Sequence, residues 1–359
     1  MFHPLWCLAA QRKGMVIKMK LKTKWTYQYR KNLREPMISA DYYLDGENLY
    51  FALDLGMSAF DSVLLELNLK TQQTRTIYEE KHVVRTAGIH EDGKIYFTSF
   101  RGMAYCLNLD GSICWATKIS SSNPSFKITL DGDRFYVSDH SIFCLDKHTG
   151  KILWKNEIFN QKVNCNILCD DQYLYCGELG GRVFSLDKFT GEARWVRGKN
   201  EWINNIAFFA PDRLLVNHCH GRFYIVDAKS GDLINILKAK GYLYTPPVFE
   251  KHRMYIGAGN DVIHSTAGNM TCYEFISPDV FRTVFSVSVA GGVTTKAVID
   301  GDRLFFAAED NFLYCVDKNT GDELMPRKKT KGICRNIIVD GNELIVLSDK
   351  GQIECFEIK

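Results

Sequence analysis

The densest group of side chains that could bind a metal is the segment His218-Cys219-His220. In an extended strand the two histidines point the same way and lie about 6.6 Å apart, a spacing that one zinc ion could bridge. The segment comes just before Gly221 in an apparent tight turn, and the sequence offers no further ligand. We therefore predict no metal site and no cofactor, with metal binding by His218 and His220 left as an open alternative.

Twelve cysteines could support redox chemistry or disulfides. Cys165 and Cys169, four residues apart in a strand, would be separated by about 13 Å, too far to share a metal. Four others occupy one position of the repeat described below, where a small packing residue suffices: Cys106, Cys144, Cys315 and Cys355. We interpret the cysteines as reduced packing residues.

Carboxylates could act as a general acid and base, but the most regular ones recur in a turn motif, Asp-x-x-Thr/Ser-Gly. Its aspartates are Asp146, Asp187, Asp227 and Asp317, and its glycines are Gly150, Gly191, Gly231 and Gly321. The aspartate side chain can accept hydrogen bonds from amides two and three residues on, and the glycine supplies a positive φ. No nucleotide-binding loop, nucleophile elbow or zinc-protease motif is present. We therefore predict turn anchors and no catalytic residues.

The elements around this turn repeat along the whole chain. The clearest copies span 144–154 and 185–195, and aligning the rest on the aspartate gives eight, separated by 38 to 49 residues. A second marker, a hairpin such as Asp131-Gly132 or Asp300-Gly301, independently recurs eight times. Each unit reads as four short strands in about 40 residues without helical periodicity, which is typical of a propeller blade. We predict an all-β, eight-bladed β-propeller of four-stranded antiparallel blades.

The last repeat ends too early to contain an outer strand. Residues 21–30 resemble the tail of a repeat, so we predict that they pair with residues 352–358 and close the ring, leaving no free edge at the seam. The domain would then be a single propeller over 21–359, with residues 1–20 as a flexible N-terminal extension. Four tryptophans share one repeat position, where each could wedge between blades: Trp25, Trp115, Trp154 and Trp195.

The pattern x-x-Asp-x-x-Thr-Gly-x-x-x-Trp, complete at 144–154 and 185–195, resembles the repeat of pyrroloquinoline-quinone-type propellers. Eight blades are found both in quinoprotein alcohol dehydrogenases and in a non-catalytic outer-membrane assembly lipoprotein. For the dehydrogenases the resemblance would imply an adjacent Cys-Cys pair, calcium and a catalytic aspartate. This chain has no Cys-Cys pair and is far shorter, so it looks more like the assembly lipoprotein.

The N-terminus gives no sign of export. The apolar run from Leu5 to Ala10 is short, no basic region precedes it, and Pro4 stands three residues before Cys7, where a bacterial lipoprotein signal has leucine. No stretch of 18 apolar residues could form a membrane-spanning helix. We therefore predict a cytoplasmic protein, and we expect a monomeric ring.

The formal net charge of +3 is small, but the sequence predicts that basic and acidic residues lie mainly on opposite faces of the ring. The stretches that run from each outer strand into the next blade hold 17 basic and 5 acidic residues, whereas the Asp-rich turns crowd the opposite face. Two longer insertions, 55–60 and 259–270, should open on the basic side. The predicted binding face consists of Arg30, Lys31, Arg34, Lys81, Arg85, Lys162, Lys199, Trp202, Tyr242, Tyr244, Arg327, Lys328, Lys329, Lys331 and Arg335.

Aromatic side chains among basic ones suit a protein or an anionic partner. We therefore predict a non-catalytic scaffold that binds another protein through this face. Two alternatives stay open at this point: a quinone-dependent or other small-molecule enzyme that uses the central funnel, and recognition of nucleic acid or another polyanion on the basic face.

Overall fold

A computed structural model describes residues 19–29, 37–55, 62–80, 89–99, 101–120, 128–163, 165–198, 201–243, 245–261, 265–277 and 280–359, and the secondary structure of these residues is strand and turn throughout. Strand β1 (Leu21–Gln28) precedes the first blade, which holds β2 (Met37–Asp45), β3 (Asn48–Asp54), β4 (Ser62–Asn68) and β5 (Thr74–Glu80). The second blade holds β6 (Ile89–Glu91), β7 (Lys94–Ser99), β8 (Met103–Asn108) and β9 (Ile113–Lys118). The third holds β10 (Ile128–Asp131), β11 (Arg134–Ser138), β12 (Ile142–Asp146) and β13 (Ile152–Asn156).

The fourth blade holds β14 (Leu168–Cys169), β15 (Tyr173–Gly177), β16 (Val183–Asp187) and β17 (Ala193–Arg197), and the fifth holds β18 (Ile203–Ala210), β19 (Arg213–His218), β20 (Arg222–Asp227) and β21 (Leu233–Lys238). The sixth is built from β22 (Tyr242–Leu243), β23 (Val248–Glu250), β24 (Arg253–Gly259), β25 (Gly268–Ser277) and β26 (Val280–Val289). The seventh holds β27 (Val298–Asp300), β28 (Arg303–Ala307), β29 (Phe312–Asp317) and β30 (Lys328–Lys329), and the eighth begins with β31 (Cys334–Asp340), β32 (Glu343–Ser348) and β33 (Gln352–Ile358).

Eight antiparallel sheets follow one another along the chain, which confirms the eight-bladed propeller. The eighth sheet has the order β1-β33-β32-β31, so the N-terminal strand closes the ring as predicted, with Trp25 opposite Cys355. Closure extends slightly beyond β1, because Lys20 and Lys359 exchange backbone hydrogen bonds of 2.9 Å. Of the predicted N-terminal extension, residues 1–18 lie outside the described part.

Side chains in or just before the first strand of one blade bond to the backbone of the next blade. Thr129 Oγ1 donates to the Ile167 carbonyl (2.8 Å), and Asn166 Nδ2 donates to the Ile206 carbonyl (2.8 Å). Thr294 Oγ1 donates in the same way to the Cys334 carbonyl (2.9 Å). The accepting carbonyls belong to buried residues, so these bonds satisfy backbone groups that the protein shields from water.

Near the outside of the ring, tryptophans of one blade dock on the repeated turn of the next. Trp115 Nε1 donates to the Lys147 carbonyl (2.8 Å) and Trp195 Nε1 to the Ala228 carbonyl (3.1 Å). The indole of Trp195 lies so close to Gly231 that a Cβ there would be 2.6 Å from Trp195 Cδ2. In this turn glycine is therefore needed for its positive φ and for close approach.

The junction between the fifth and sixth blades lacks this dock on both sides. Asn235 stands at the tryptophan position, and residues 276–279 replace the Asp-Thr-Gly turn. An aromatic cluster fills the space instead, with Phe209 stacked on Phe275 at 5.2 Å and Phe275 lying 6.3 Å from Phe281. The sixth blade restores the dock to the seventh with a different residue, since Phe285 packs against Gly321.

Candidate binding face

The side chains of the repeated aspartates are hydrogen-bonded within their own turns. Asp146 Oδ1 accepts hydrogen bonds from the amides of His148 (3.1 Å) and Thr149 (2.8 Å) and from Thr149 Oγ1 (2.8 Å). These bonds favour the carboxylate form and lower the pKa of Asp146. The same two amide bonds recur at the other three aspartates, Asp187, Asp227 and Asp317.

None of the cysteines in the described part forms a disulfide. The four at the shared repeat position, Cys106, Cys144, Cys315 and Cys355, are all buried in the core. Burial raises the pKa of Cys315 to about 12 and that of Cys355 to about 12, so neither thiol forms a reactive thiolate at neutral pH.

The two histidines of the 218–220 segment contact different aromatic side chains. The His218 ring lies 4.2 Å from that of Tyr224, and the His220 ring lies 5.4 Å from that of Tyr242. Burial lowers the pKa of His218 to about 4, although its Nδ1 is 3.4 Å from Glu201 Oε2. Within the described ranges, no three His, Cys, Asp or Glu side chains lie close enough together to share a metal ion.

A cavity of about 300 Å³ opens between the fourth and fifth blades beside His218. Val183, Val216 and Leu233 contribute apolar walls, and Glu201 lies at its rim. The Glu201 carboxylate already accepts the Tyr224 hydroxyl (3.0 Å) and pairs with Arg222. The cavity therefore offers packing for an apolar group, whereas the Glu201 carboxylate is engaged by the protein.

The structure describes only part of the predicted binding face. Residues outside the described ranges are Arg30, Lys31, Arg34, Lys81, Arg85, Lys199 and Tyr244, together with most of the insertion 55–60 and residues 262–264 of the insertion 259–270. Lys162 is half-buried in the connection to the fourth blade, and its carbonyl accepts the Leu179 amide (2.9 Å). Trp202 is 58% exposed, whereas Tyr242 contacts His220.

The five basic residues at 327–335 divide into two groups. Arg327 lies over the Phe312 ring at 4.8 Å, and Arg335 is 4.0 Å from Asp349. The three lysines, Lys328, Lys329 and Lys331, instead line a cleft of about 570 Å³ between the seventh and eighth blades.

Lys350 also lines this cleft and was missing from the predicted face. It lies in the turn between β32 and β33, whereas the basic residues of the predicted face belong to the connections between blades. Because the second turn of each blade opens on the same side as the connections, counting both would have found it. We call the site formed by Lys328, Lys329, Lys331 and Lys350 the lysine cleft.

Solved structures with similar folds have diverse functions. BamB from Moraxella catarrhalis superposes with a TM-score of 0.69 and 17% identity over 94% of this chain and 100% of that chain. A europium-containing methanol dehydrogenase gives 0.72 with 12% identity over 94% and 93%. Sqt1 from Saccharomyces cerevisiae gives 0.72 with 13% identity over 94% and 99%. At these identities the likeness concerns the fold alone.

One known protein is also similar to this chain in sequence. The outer membrane protein assembly factor BamB of Moranella endobia (strain PCIT) is 22% identical over 249 residues, which are 63% of this chain and 60% of that protein. This chain therefore matches less than two thirds of the length of that relative.

The family model described as outer membrane protein assembly factor BamB matches residues 18–156, 138–273 and 282–359. The prediction of a cytoplasmic protein is therefore wrong. It depended on the lack of a secretory pattern in residues 1–20, and neither the blades nor their small, buried cysteines carry information about the compartment. No helix in the described residues is long and apolar enough to cross a bilayer. With matches over nearly the whole ring, this chain belongs to the family of the outer membrane protein assembly factor BamB.

Proposed function

We propose that this protein is a non-catalytic scaffold that binds another protein during the assembly of outer membrane proteins. The observation that carries the proposal is the match of the assembly-factor family model along almost the whole ring. The binding surface that we propose is the face with the blade connections and the insertions in the first and sixth blades.

The engagement of the repeated aspartates and of Glu178 supports a role without catalysis. The repeated aspartates are engaged in their turns, and Glu178, which is 1% exposed, accepts the amides of Asn160 (3.0 Å) and Gln161 (3.2 Å) and pairs with Arg182. A general acid or base must instead be able to exchange a proton with a substrate. Added quinone and calcium should therefore change neither the absorbance nor the melting temperature, and a saturable shift in either would favour the dehydrogenase alternative.

The chemistry of the face supports a protein partner. Trp202 lies in a blade connection with more than half of its side chain in solvent, and a large exposed aromatic residue is a common anchor of protein interfaces. The lysine cleft, between the seventh and eighth blades, supplies positive charge on the same side of the ring as this connection between the fourth and fifth blades. An exposed aromatic anchor and positive charge on one face suit recognition of a protein surface.

Phe189 provides a matched control for Trp202. It is 51% exposed and lies in a repeated turn, on the opposite face. We would place a photo-crosslinking phenylalanine analogue at each position in turn and irradiate cells of the native host. The proposal predicts a discrete protein adduct from position 202 and none from position 189. Adducts of equal yield from both positions, or from position 189 alone, would contradict it.

A further inference from the structure

We infer that the lysine cleft binds an acidic, extended segment of a partner protein. The inference deepens the proposed function, because the segment is taken to belong to the bound protein. The cleft lies where the outer strand of the seventh blade, β30, meets the second turn of the eighth. Thr23 and Asn311 form two of its walls.

The lysine cleft is lined by four lysines and one carboxylate, that of Glu354, which is 4% exposed and accepts the Lys331 amide (3.2 Å). Lys329, Lys331 and Lys350 are exposed, and the Lys328 ammonium lies 5.1 Å from the Phe356 ring centroid. Among the described residues, no carboxylate lies within 4.0 Å of any of the four ammonium groups. Other cations of the ring do have such partners, for example Arg182 with Glu178 and Lys318 with Glu250. An anionic ligand would relieve the repulsion among the four lysines.

The backbone under the lysines is already ordered. Thr330 is buried, and its amide and hydroxyl both donate to the Asn311 carbonyl, at 2.9 and 3.0 Å. Its hydroxyl also lies 2.7 Å from the Gly332 carbonyl. Because this segment is held before any ligand arrives, little backbone entropy is lost on binding.

The type of anion follows from which donors are free. A phosphate site typically uses backbone amides or an arginine fork. Here the amides of Thr330, Lys331 and Ile333 are committed to Asn311, Glu354 and Asp349, respectively.

The arginines nearest in the sequence, Arg327 and Arg335, are engaged with Phe312 and Asp349. Among the described residues that line the cleft, none is an aromatic residue on which a nucleic-acid base could stack. Four separate ammonium groups are therefore the charged donors that remain. Spread over the cleft, they suit carboxylates along an extended peptide, which advances about 3.3 Å per residue.

The test uses the full chain and a fluorescein-labelled hexaglutamate peptide, with binding followed by anisotropy at low salt. The variant K329Q/K331Q/K350Q removes the three exposed charges and leaves Lys328 packed against Phe356. Lys151, Lys229 and Lys251 are exposed lysines in turns of the opposite face, so K151Q/K229Q/K251Q is the control with the same change in charge. Equal unfolding midpoints would verify that both variants fold.

The inference predicts that the cleft variant weakens hexaglutamate binding at least tenfold, whereas the control stays within twofold of wild type. Carbodiimide coupling should join the peptide to Lys329, Lys331 or Lys350. Equal weakening by both variants, or no binding by wild type, would overturn the inference. So would an oligothymidylate that binds more tightly than hexaglutamate through the same lysines, or inorganic phosphate that displaces the peptide at equal charge concentration. None of these outcomes affects the crosslinking result at position 202, which tests the proposed function separately.

Discussion

The dock between Trp195 and Gly231 can be tested quantitatively. A methyl group at position 231 would lie 2.6 Å from Trp195 Cδ2 and 2.9 Å from Arg197 Cγ, on a residue with φ of +75°. The left-handed backbone alone costs a non-glycine residue about 1–2 kcal/mol. The contact with the indole adds to this cost, because Trp195 is only 6% exposed and cannot move into solvent without losing its packing. We therefore expect Gly231→Ala to lower the free energy of unfolding well beyond the cost of the backbone alone.

A double-mutant cycle separates the two contributions. Trp195→Ala alone should cost about 3–5 kcal/mol, the usual range for removing a buried aromatic side chain. Once the indole is gone, the nearest remaining neighbour of the methyl group at position 231 is the flexible Arg197 side chain. The double variant should therefore lose less free energy than the sum of the single losses, by about 1–3 kcal/mol.

Gly132 is the matched control for the backbone cost. Its φ is +57°, and no atom lies within 4 Å of the position that its Cβ would occupy. Urea unfolding followed by circular dichroism would measure all four proteins and Gly132→Ala. The reasoning would be refuted if Gly231→Ala cost no more than Gly132→Ala, or if the cycle were additive.

Three further predictions follow from the ring, the turns and the thiols. A chain that begins at Lys31 lacks β1 and should melt at a much lower temperature than one that begins at Met19, since β1 is the outer strand of the last blade; equal melting of the two would rule out the closing strand. The pKa of Asp227 is lowered chiefly by the Ser230 amide, so the Asp227 carboxylate should contribute stability above about pH 4 that is lost as the pH falls through its folded pKa. In urea titrations at decreasing pH, the difference in stability between wild type and Asp227→Asn should therefore shrink below about pH 4. A difference independent of pH would contradict this. In a chain that begins at Met19, a thiol reagent should modify Cys114 first, because it is exposed whereas most other cysteines are buried. Cys114→Ser should therefore remove the fast phase of thiol modification. A fast phase that persists would show that another thiol is accessible.

The fold could be predicted from the sequence because its turn chemistry is local and repeated. Asp, Thr and Gly at fixed offsets specify the same turn wherever they occur, and their recurrence every 40 residues or so indicates the number of blades. The substitute dock of Phe285 on Gly321 was not predictable, because it depends on contacts between two blades and has no counterpart in the repeat pattern. The aromatic cluster around Phe275 depends on such contacts as well.

The candidate site was predicted less completely than the fold. The charge pattern identified Lys328, Lys329 and Lys331, but only the packing of two blades places Lys350 beside them. Arg327 and Arg335 belong to the same charge pattern, but Arg327 lies over the Phe312 ring and Arg335 lies beside Asp349. The position of a basic residue in the sequence therefore predicts the face of the ring on which it lies. Contacts with neighbouring side chains determine whether its charge remains available to a ligand.

The central claim is that the connection face binds a partner protein. Its most direct test is quantitative affinity purification from the native host with W202A/K329E/K331E, compared with F189A/K151E/K229E on the opposite face. We predict that the connection-face variant recovers at least tenfold less of a protein that wild type and the control variant both retain. Full retention by the connection-face variant, or equal loss in both variants, would contradict the claim.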